Sequence, residues 1–366
     1  TDDGTVAPVI RIGDVEPIIP GYDAWDVGPV RLPDGQVATL AGGEVWLVLA
    51  APAVGNPGSR HDRARLRLAA RADGRWRDLG DVFAAGASLG GREWAGSAVY
   101  RPDRGTVTVF YTAAGRHGEH TPTFGQRIVA TTAHAIGAAG APFLSDWTEH
   151  VEVIRADGTA YMRADEEHGE AGFIKAFRDP FFFRDPADGS ESLLFTASLA
   201  GAETAFNGAI GIAAAESSGW TPLPPLIHAD GVNNELERPH LVVRDGRYHL
   251  FFSTQRRTFD PSVSGPTGLY GFVADRLHGP YLPLNGSGLV VRNPAAEPTQ
   301  AYSWLVLNDL QVVSFVDSYD LQGRAVQDVE AEGADATRRH FGGTIAPTLQ
   351  LGLDGRRAWL DAVRSG

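Results

Sequence analysis

Short apolar runs follow one another along almost the whole chain, and the three-to-four-residue spacing of an amphipathic helix is nearly absent. "EVWLVLA", "TVTVFYTAA", "QRIVATTA", "PFFFRD", "SLLFTASL", "AIGIAAA", "LYGFVAD", "WLVLNDLQVVSFVD" and "IAPTLQLGL" each have the length and β-branched or aromatic content of strands. Aspartyl-glycine pairs punctuate them at Asp34-Gly35, Asp73-Gly74, Asp188-Gly189, Asp245-Gly246 and Asp354-Gly355. Such pairs suit the positive-φ positions of tight hairpin turns. The pattern predicts an all-β sandwich or propeller. At about 40–50 residues per four-stranded blade, several blades plus functional loops fit, although no clean repeat is visible. No Pro/Ser/Gly-rich linker divides the chain, which reads as one domain over 1–366, with 1–20 as an N-terminal extension packing on it.

Two stretches refine this picture. In "VNNELERPHLVVRDGRYHLFFS", residues 232–253, two strands meet at Asp245-Gly246. Where the chain enters that hairpin, alternation puts the carboxylates of Glu235 and Glu237 on one side and Leu236 on the other. Two like charges held together cost free energy and call for a use. By contrast, "RHDRARLRLAARADGRWR" alternates Arg65-Leu66-Arg67-Leu68, the pattern of a strand with one solvated face.

Composition narrows the function classes. The chain has 366 residues, 43% hydrophobic and 21% charged, as ordinary globular proteins do. Its net charge of -13 opposes a nucleic-acid or anionic-membrane partner. With no cysteine, disulfides, zinc–thiolate sites and thiol catalysis are excluded. No apolar run is long enough to span a bilayer, and the opening "TDDGTVAPVI" lacks the pattern of a signal peptide.

Three acidic motifs stand in unusual settings. Asp26 lies in "YDAWDVGPV" beside Trp25; Asp179 lies in "FRDPFFF" after Arg178; Glu235 and Glu237 lie just before Arg238 and Pro239. Each carboxylate precedes or opens a strand among aromatic, arginine or proline residues. Their chemistry suits retaining glycoside cleavage, which needs a carboxylate nucleophile about 5 Å from a carboxylic acid proton donor. A neighbouring carboxylate raises a donor's pKa, arginine orients acids by bidentate hydrogen bonds, and tryptophan faces pack against sugar rings. Plainer readings stand beside this one. "RDP" is also a common turn, and Arg178, Glu237 and Arg238 also suit an ion-pair network tying blades together. His117 and His120 in "GRHGEHTP" have ligand-like spacing but read as surface histidines. The acidic run "ADEEHGEAG", residues 164–172, lacks the spaced oxygen ligands of a calcium loop and reads as a solvated loop.

Taken together and in order, the motifs resemble glycoside hydrolase family 68, whose members act on sucrose as levansucrases, inulosucrases and β-fructofuranosidases. The matching stretches are "AWDVGP", "EWAGSAVY", "FRDP" and "NELERPHLV", then "GLYGFVADRLHGPYLPLNGSGLV" and "AYSWLVLNDLQVVSFVDS". The resemblance spans roughly Tyr22 to Leu351 and implies a five-bladed β-propeller with a central acidic pocket. It implies Asp26 as the nucleophile, Asp179 as the transition-state stabiliser and Glu237 as the general acid/base. Glu235 would bind substrate and raise the pKa of Glu237; Trp25, Trp94, Arg178, Arg238, Gln255 and Tyr302 would line the sugar subsites. It implies a small-molecule partner (sucrose or fructo-oligosaccharides), no cofactor, and export from a bacterial cell. Some members carry a structural calcium, for which this sequence offers no convincing ligand set.

Two positions depart from the family pattern. Gly28 stands where a tryptophan is usual, and Ala95 where a serine usually hydrogen-bonds the nucleophile. Both bear on donor choice and on the balance of hydrolysis against transfer. The alternatives left open are a related propeller glycosidase with another furanoside donor and an inactive carbohydrate-binding propeller.

Overall fold

A computed structural model describes residues 4–138, 141–164 and 175–361. The run at 164–172 singled out above lies outside them but for its first residue. The strands group into five successive antiparallel meanders. The first comprises β1 (Tyr22–Arg31), β2 (Thr39–Leu40), β3 (Gly43–Pro52), β4 (Arg65–Ala72) and β5 (Arg75–Asp81). The second comprises β6 (Arg92–Arg101), β7 (Thr106–Ala114), β8 (Gln126–Ala138), β9 (Ala141–Ser145) and β10 (Val151–Ile154). A short parallel pairing of Val30 and Arg31 with Ala98 and Val99 joins these two. The third runs through β11 (Phe177–Arg184), β12 (Glu191–Ser198), β13 (Gly208–Glu216) and β14 (Gly219–His228). The fourth holds β15 (Glu237–Arg244), β16 (Arg247–Thr254), β17 (Gly268–Ala274), β18 (Leu282–Pro283) and β19 (Leu289–Arg292). The fifth holds β20 (Ala301–Val306), β21 (Gln311–Ser318), β22 (Phe341–Ile345), β23 (Leu349–Asp354) and β24 (Arg357–Leu360).

The first strands of the meanders, β1, β6, β11, β15 and β20, touch one another in sequence, and β20, β21 and β22 return to β1. This ring leaves each first strand with a row of backbone groups facing inward. Pro29, Pro180 and Pro239 lie in three of them, where a missing N–H costs no ladder bond and discourages further pairing. Apolar residues of neighbouring meanders share cores. Leu49 and Leu66 pack with Val107 and Tyr111, and Phe110 packs with Phe182 and Phe195. Ahead of the ring, the N-terminal segment lies on the fourth and fifth meanders. The Ala7 N–H donates to the Arg292 carbonyl at 2.9 Å and the Ile10 N–H to Gln300 Oε1 at 2.9 Å.

The all-β expectation agrees with this architecture, and the turn signals act mostly as read. Asp245 and Asp73 adopt φ of 51° and 50° ahead of glycines at 72°, closing two-residue hairpins at Arg244↔Arg247 and Ala72↔Arg75. At Asp354-Gly355 the turn instead centres on Gly355 and Arg356, because Asp354 pairs with Arg357. The strand carrying Arg65 to Leu68 does not have a solvated arginine face. Arg67 is buried, pairing with Asp78 at 2.6 Å and Asp81 at 2.5 Å over the Tyr22 ring. Two short helices, α1 (Val326–Ala331) and α2 (Ala334–His340), interrupt the fifth meander.

Every first strand carries a β-bulge against its partner. The register breaks between Trp25 and Val27, Trp94 and Gly96, Arg178 and Phe181, Glu237 and His240, and Tyr302 and Leu305. A bulge turns a side chain out of the alternation that would send it into a sheet face. Four of the displaced residues are non-glycine with positive φ: Asp26 at 44°, Asp179 at 58°, Arg238 at 52° and Ser303 at 59°. In the second meander the bulge needs Gly96, since a Cβ there would lie 1.9 Å from the Phe110 carbonyl oxygen.

Candidate active site

The bulges gather the charged motifs around Arg178. Its Nη2 donates to Glu235 Oε1 at 3.0 Å and to Glu237 Oε1 at 2.9 Å, and its Nε lies 3.6 Å from Asp179 Oδ2. Leu236 points away into the core, so the alternation read from the sequence places both glutamates toward one guanidinium. Glu237 also accepts a short hydrogen bond from the Tyr302 hydroxyl, and Gln255 lies within hydrogen-bond reach of Tyr302. Three carboxylates against one cation is an unbalanced group, and its elements come from the third, fourth and fifth meanders.

Asp179 is fixed by threonines of adjoining strands. Its N–H donates to Thr112 Oγ1 at 2.9 Å, and that hydroxyl donates to the Ala95 carbonyl at 3.0 Å. Thr196 Oγ1 donates to Asp179 Oδ2 at 3.0 Å and accepts the Arg238 N–H at 3.1 Å. One hydroxyl thereby holds two bulge residues in register. Arg238 reaches across to the first meander, with Nη2 donating to the Val27 carbonyl at 2.9 Å and Nη1 lying 3.9 Å from Asp26 Oδ1. The Asp26 side chain keeps 20% of its surface exposed.

Burial sets the electrostatics. It pushes Asp179 up to about 7; Arg178 opposes that, while Asp26 and Glu237 reinforce it. Asp26 is raised by burial, against the pull of Arg238 and a hydrogen bond from Ser303. Glu235 is raised by burial and by Glu237 beside it. Burial disfavours the charge on Arg178, yet Glu235, Glu237 and Asp179 outweigh that and hold it firmly protonated. Burial and the same glutamates keep the Tyr302 hydroxyl protonated, hence a donor. Strongly perturbed groups converging from separate elements make this cluster the candidate functional site.

The two tryptophans join the group through a segment that sequence reasoning missed. Asn56 caps a 3₁₀ turn, Pro57–Arg63, with Oδ1 accepting the Gly58 N–H. From it, Arg60 sits 5.2 Å over the Trp25 ring and His61 meets the same ring edge-on at 5.3 Å. Trp94 Nε1 donates to the His61 carbonyl at 3.4 Å. Burial and the neighbouring Arg60 hold His61 neutral, well below the usual histidine range. Arg60 further approaches Asp317 at 3.9 Å. All ten side chains singled out from the sequence therefore lie in one connected constellation, extended by Arg60, His61, Asp317, Thr112, Thr196 and Ser303. The signal for Arg60 and His61 was Asn56-Pro57, an N-cap followed by proline at the first helical position.

The departures have a place here as well. A Cβ on Gly28 would lie 3.4 Å from Leu305 and 3.7 Å from Arg238 Nη2, so position 28 borders the guanidinium that faces Asp26. Ala95 is buried and brings no polar side-chain atom to the second bulge. His117 and His120 are exposed, and no group of metal-ligating side chains occurs among the described residues. Among the described residues no helix is long and apolar enough to cross a membrane.

A ring of meanders that gathers Asp26, Asp179, Glu235 and Glu237 about two arginines suits the paired-carboxylate chemistry of glycoside cleavage. The Levansucrase/Invertase model of glycoside hydrolase family 68 matches residues 5–207 and 202–365, and the chain belongs to that family. It is 34% identical to levansucrase LscA of Pseudomonas savastanoi pv. glycinea over 93% of this chain and 86% of that protein. An inulosucrase from Halalkalicoccus jeotgali, solved bound to kestose, superposes with a TM-score of 0.90 at 41% identity, covering 98% of this chain and 91% of the other. A levansucrase from Gluconacetobacter diazotrophicus superposes with a TM-score of 0.83 at 26% identity, over 99% of this chain and 85% of that one.

Proposed function

We propose that this protein transfers the fructosyl unit of sucrose, with retention, to water or sugar acceptors. Asp26 is the nucleophile, Glu237 the general acid/base and Asp179 the stabiliser of the oxocarbenium-like transition state. The observation that carries this reading is the Arg178 guanidinium shared by Glu235, Glu237 and Asp179, with Asp26 facing Arg238 beside it. Family membership and the kestose-bound relative support the substrate class.

In the first step the Asp26 carboxylate bonds to the anomeric carbon of the fructosyl unit as the glycosidic bond breaks. Glu237 gives its proton to the departing glucose oxygen. Tyr302 and Arg178, both donors to Glu237, fix that carboxyl and take up the negative charge it acquires. In the second step Glu237 takes a proton from water or an acceptor hydroxyl, whose oxygen displaces Asp26. Two inversions give retention. Asp179, held by Thr112 and Thr196, offers its carboxyl to the fructose hydroxyls. Glu235, Gln255, Trp25, Trp94 and Arg238 complete the walls.

We further read the five meanders as five propeller blades within one catalytic domain, residues 1–20 packing on it as an extension. The enzyme acts outside the cell, a reading that rests on its family membership and that its acidic, cysteine-free composition permits. Incubation with sucrose, following free glucose and free fructose separately, tests the proposal. Glucose in excess of fructose means transfer, equal release means hydrolysis, and neither sugar would overturn the sucrose assignment.

A further inference from the structure

We propose that Lys175 is a positioning residue for the proton-donor half of the site, its ammonium fastening the segment that enters β15 to the one that enters β11. This rests on the reading of Glu235 as a substrate-binding group beside the general acid/base. Of the 32 lysine and arginine residues in the chain, Lys175 is the one lysine. At every other position a permanently charged basic side chain is an arginine. The two cations differ in shape: an ammonium is a compact charge with three protons in a tetrahedral array, whereas a guanidinium presents a flat fork.

The hydrogen bonds show why that shape is needed here. Lys175 Nζ donates to the Ala205 carbonyl at 2.6 Å, to Asn207 Oδ1 at 2.8 Å and to Asn234 Oδ1 at 3.0 Å. These oxygens come from the loop between β12 and β13 and from the segment leading into β15, and both asparagines are buried. Asn207 Nδ2 donates to the Leu199 carbonyl at 2.8 Å, which turns the amide oxygen toward the ammonium. Two connections run from this clip to the site. On one side Gln126 Nε2 donates to the Lys175 carbonyl at 2.7 Å, while its Oε1 accepts the Phe177 N–H at 3.0 Å and lies 3.4 Å from Arg178 Nη1. On the other, Asn234 immediately precedes Glu235, whose N–H donates to Asn233 Oδ1 at 2.8 Å and whose carbonyl accepts from Thr254 Oγ1 at 2.8 Å. The two chain entries so joined carry Arg178 and Glu235, which meet at 3.0 Å. Neutral amide and carbonyl oxygens hold the ammonium, so the clip adds no carboxylate to a group already rich in them.

The test is a double-mutant cycle on sucrose: kcat and KM for wild type, Lys175→Met, Lys175→Arg, Glu235→Gln and the two combinations, beside their melting temperatures. Lys175→Met should lower kcat/KM about tenfold to a hundredfold, the worth of hydrogen bonds to a charged group. Lys175→Arg keeps the charge but not the tetrahedral donors, and should still lose about threefold to tenfold. If Lys175 acts by placing Glu235, either change made in the Glu235→Gln background should cost less than about twofold more. Should the methionine variant not fold, the arginine variant completes the same cycle. Losses that multiply in full, a wild-type kcat/KM in Lys175→Arg, or a lowered melting temperature with kcat/KM unchanged would each overturn the assignment to Lys175 while leaving the active site as read. A wild-type kcat/KM in Glu235→Gln would instead remove the reading on which it rests.

Discussion

Arg67 and Arg178 each hold more than one carboxylate, and of this pair only Arg178 reads as functional. Arg67 pairs with Asp78 and Asp81 at 2.6 and 2.5 Å, shorter than any contact of Arg178, and stacks on Tyr22. Its partners come from the neighbouring strand β5 and from the residue that ends it, and their side chains are 31% and 45% exposed. Solvent carries the excess negative charge. Around Arg178 the partners come from two meanders, the three carboxylates are 9–18% exposed, and burial raises Asp179 and Glu235. Tight geometry is thus no guide to function; excess charge held away from water by separate elements is. In the proposed mechanism the charge of this group meets a developing oxocarbenium ion.

The sharpest separation should come from removing the proton carrier. Glu237→Gln should lower kcat on sucrose by at least about a thousandfold with the melting temperature within a few degrees of wild type. A loss under tenfold would return Glu237 to the ion-pair network. Next in size is Arg178→Met, which strands its carboxylates in a buried site. A cost of about 3–5 kcal/mol in urea unfolding and loss of activity together are expected. If stability fell and kcat survived, Arg178 and Arg67 would belong to one class.

The pH dependence sharpens the contrast further. Asp179, pushed up to about 7 mainly by burial, binds its proton more tightly folded than unfolded. The stability this gives is complete below the unfolded value, about 3.9, and is lost as pH rises through about 7. Thermal unfolding of Asp179→Asn should therefore lose less stability than wild type between about pH 5 and pH 7. An equal or steeper loss in the variant would contradict the raised value. Smallest of all, Arg67→Lys should cost about 1 kcal/mol or less, its partners being partly solvated, and leave kcat and KM on sucrose unchanged.

What the sequence could disclose followed from how local each signal is. Asp245-Gly246 and Asp73-Gly74 specify their own turns, and Glu235-Leu236-Glu237 specifies its own alternation, so both were legible. The bulges were not. Their repeat lies in backbone geometry, occupied by Asp26, Ala95, Asp179, Arg238 and Ser303, which share no chemistry for a pattern search to find. Arg60 and His61 were absorbed into the alternation that begins at Arg65, although the turn capped by Asn56 ends at Arg63. Ser303 looked like one small residue in an apolar strand. Its meaning depends on Arg238, 65 residues away in sequence.

The proposed mechanism stands on Asp26 carrying the fructosyl unit. Wild-type enzyme mixed with sucrose, quenched in acid within milliseconds, digested and weighed by mass spectrometry tests it most directly. A gain of one hexosyl unit is expected on the peptide containing Asp26, absent in Asp26→Asn. A hexosyl adduct on the peptide of Asp179 or Glu237, or glucose release with no adduct on Asp26 at any quench time, would contradict it.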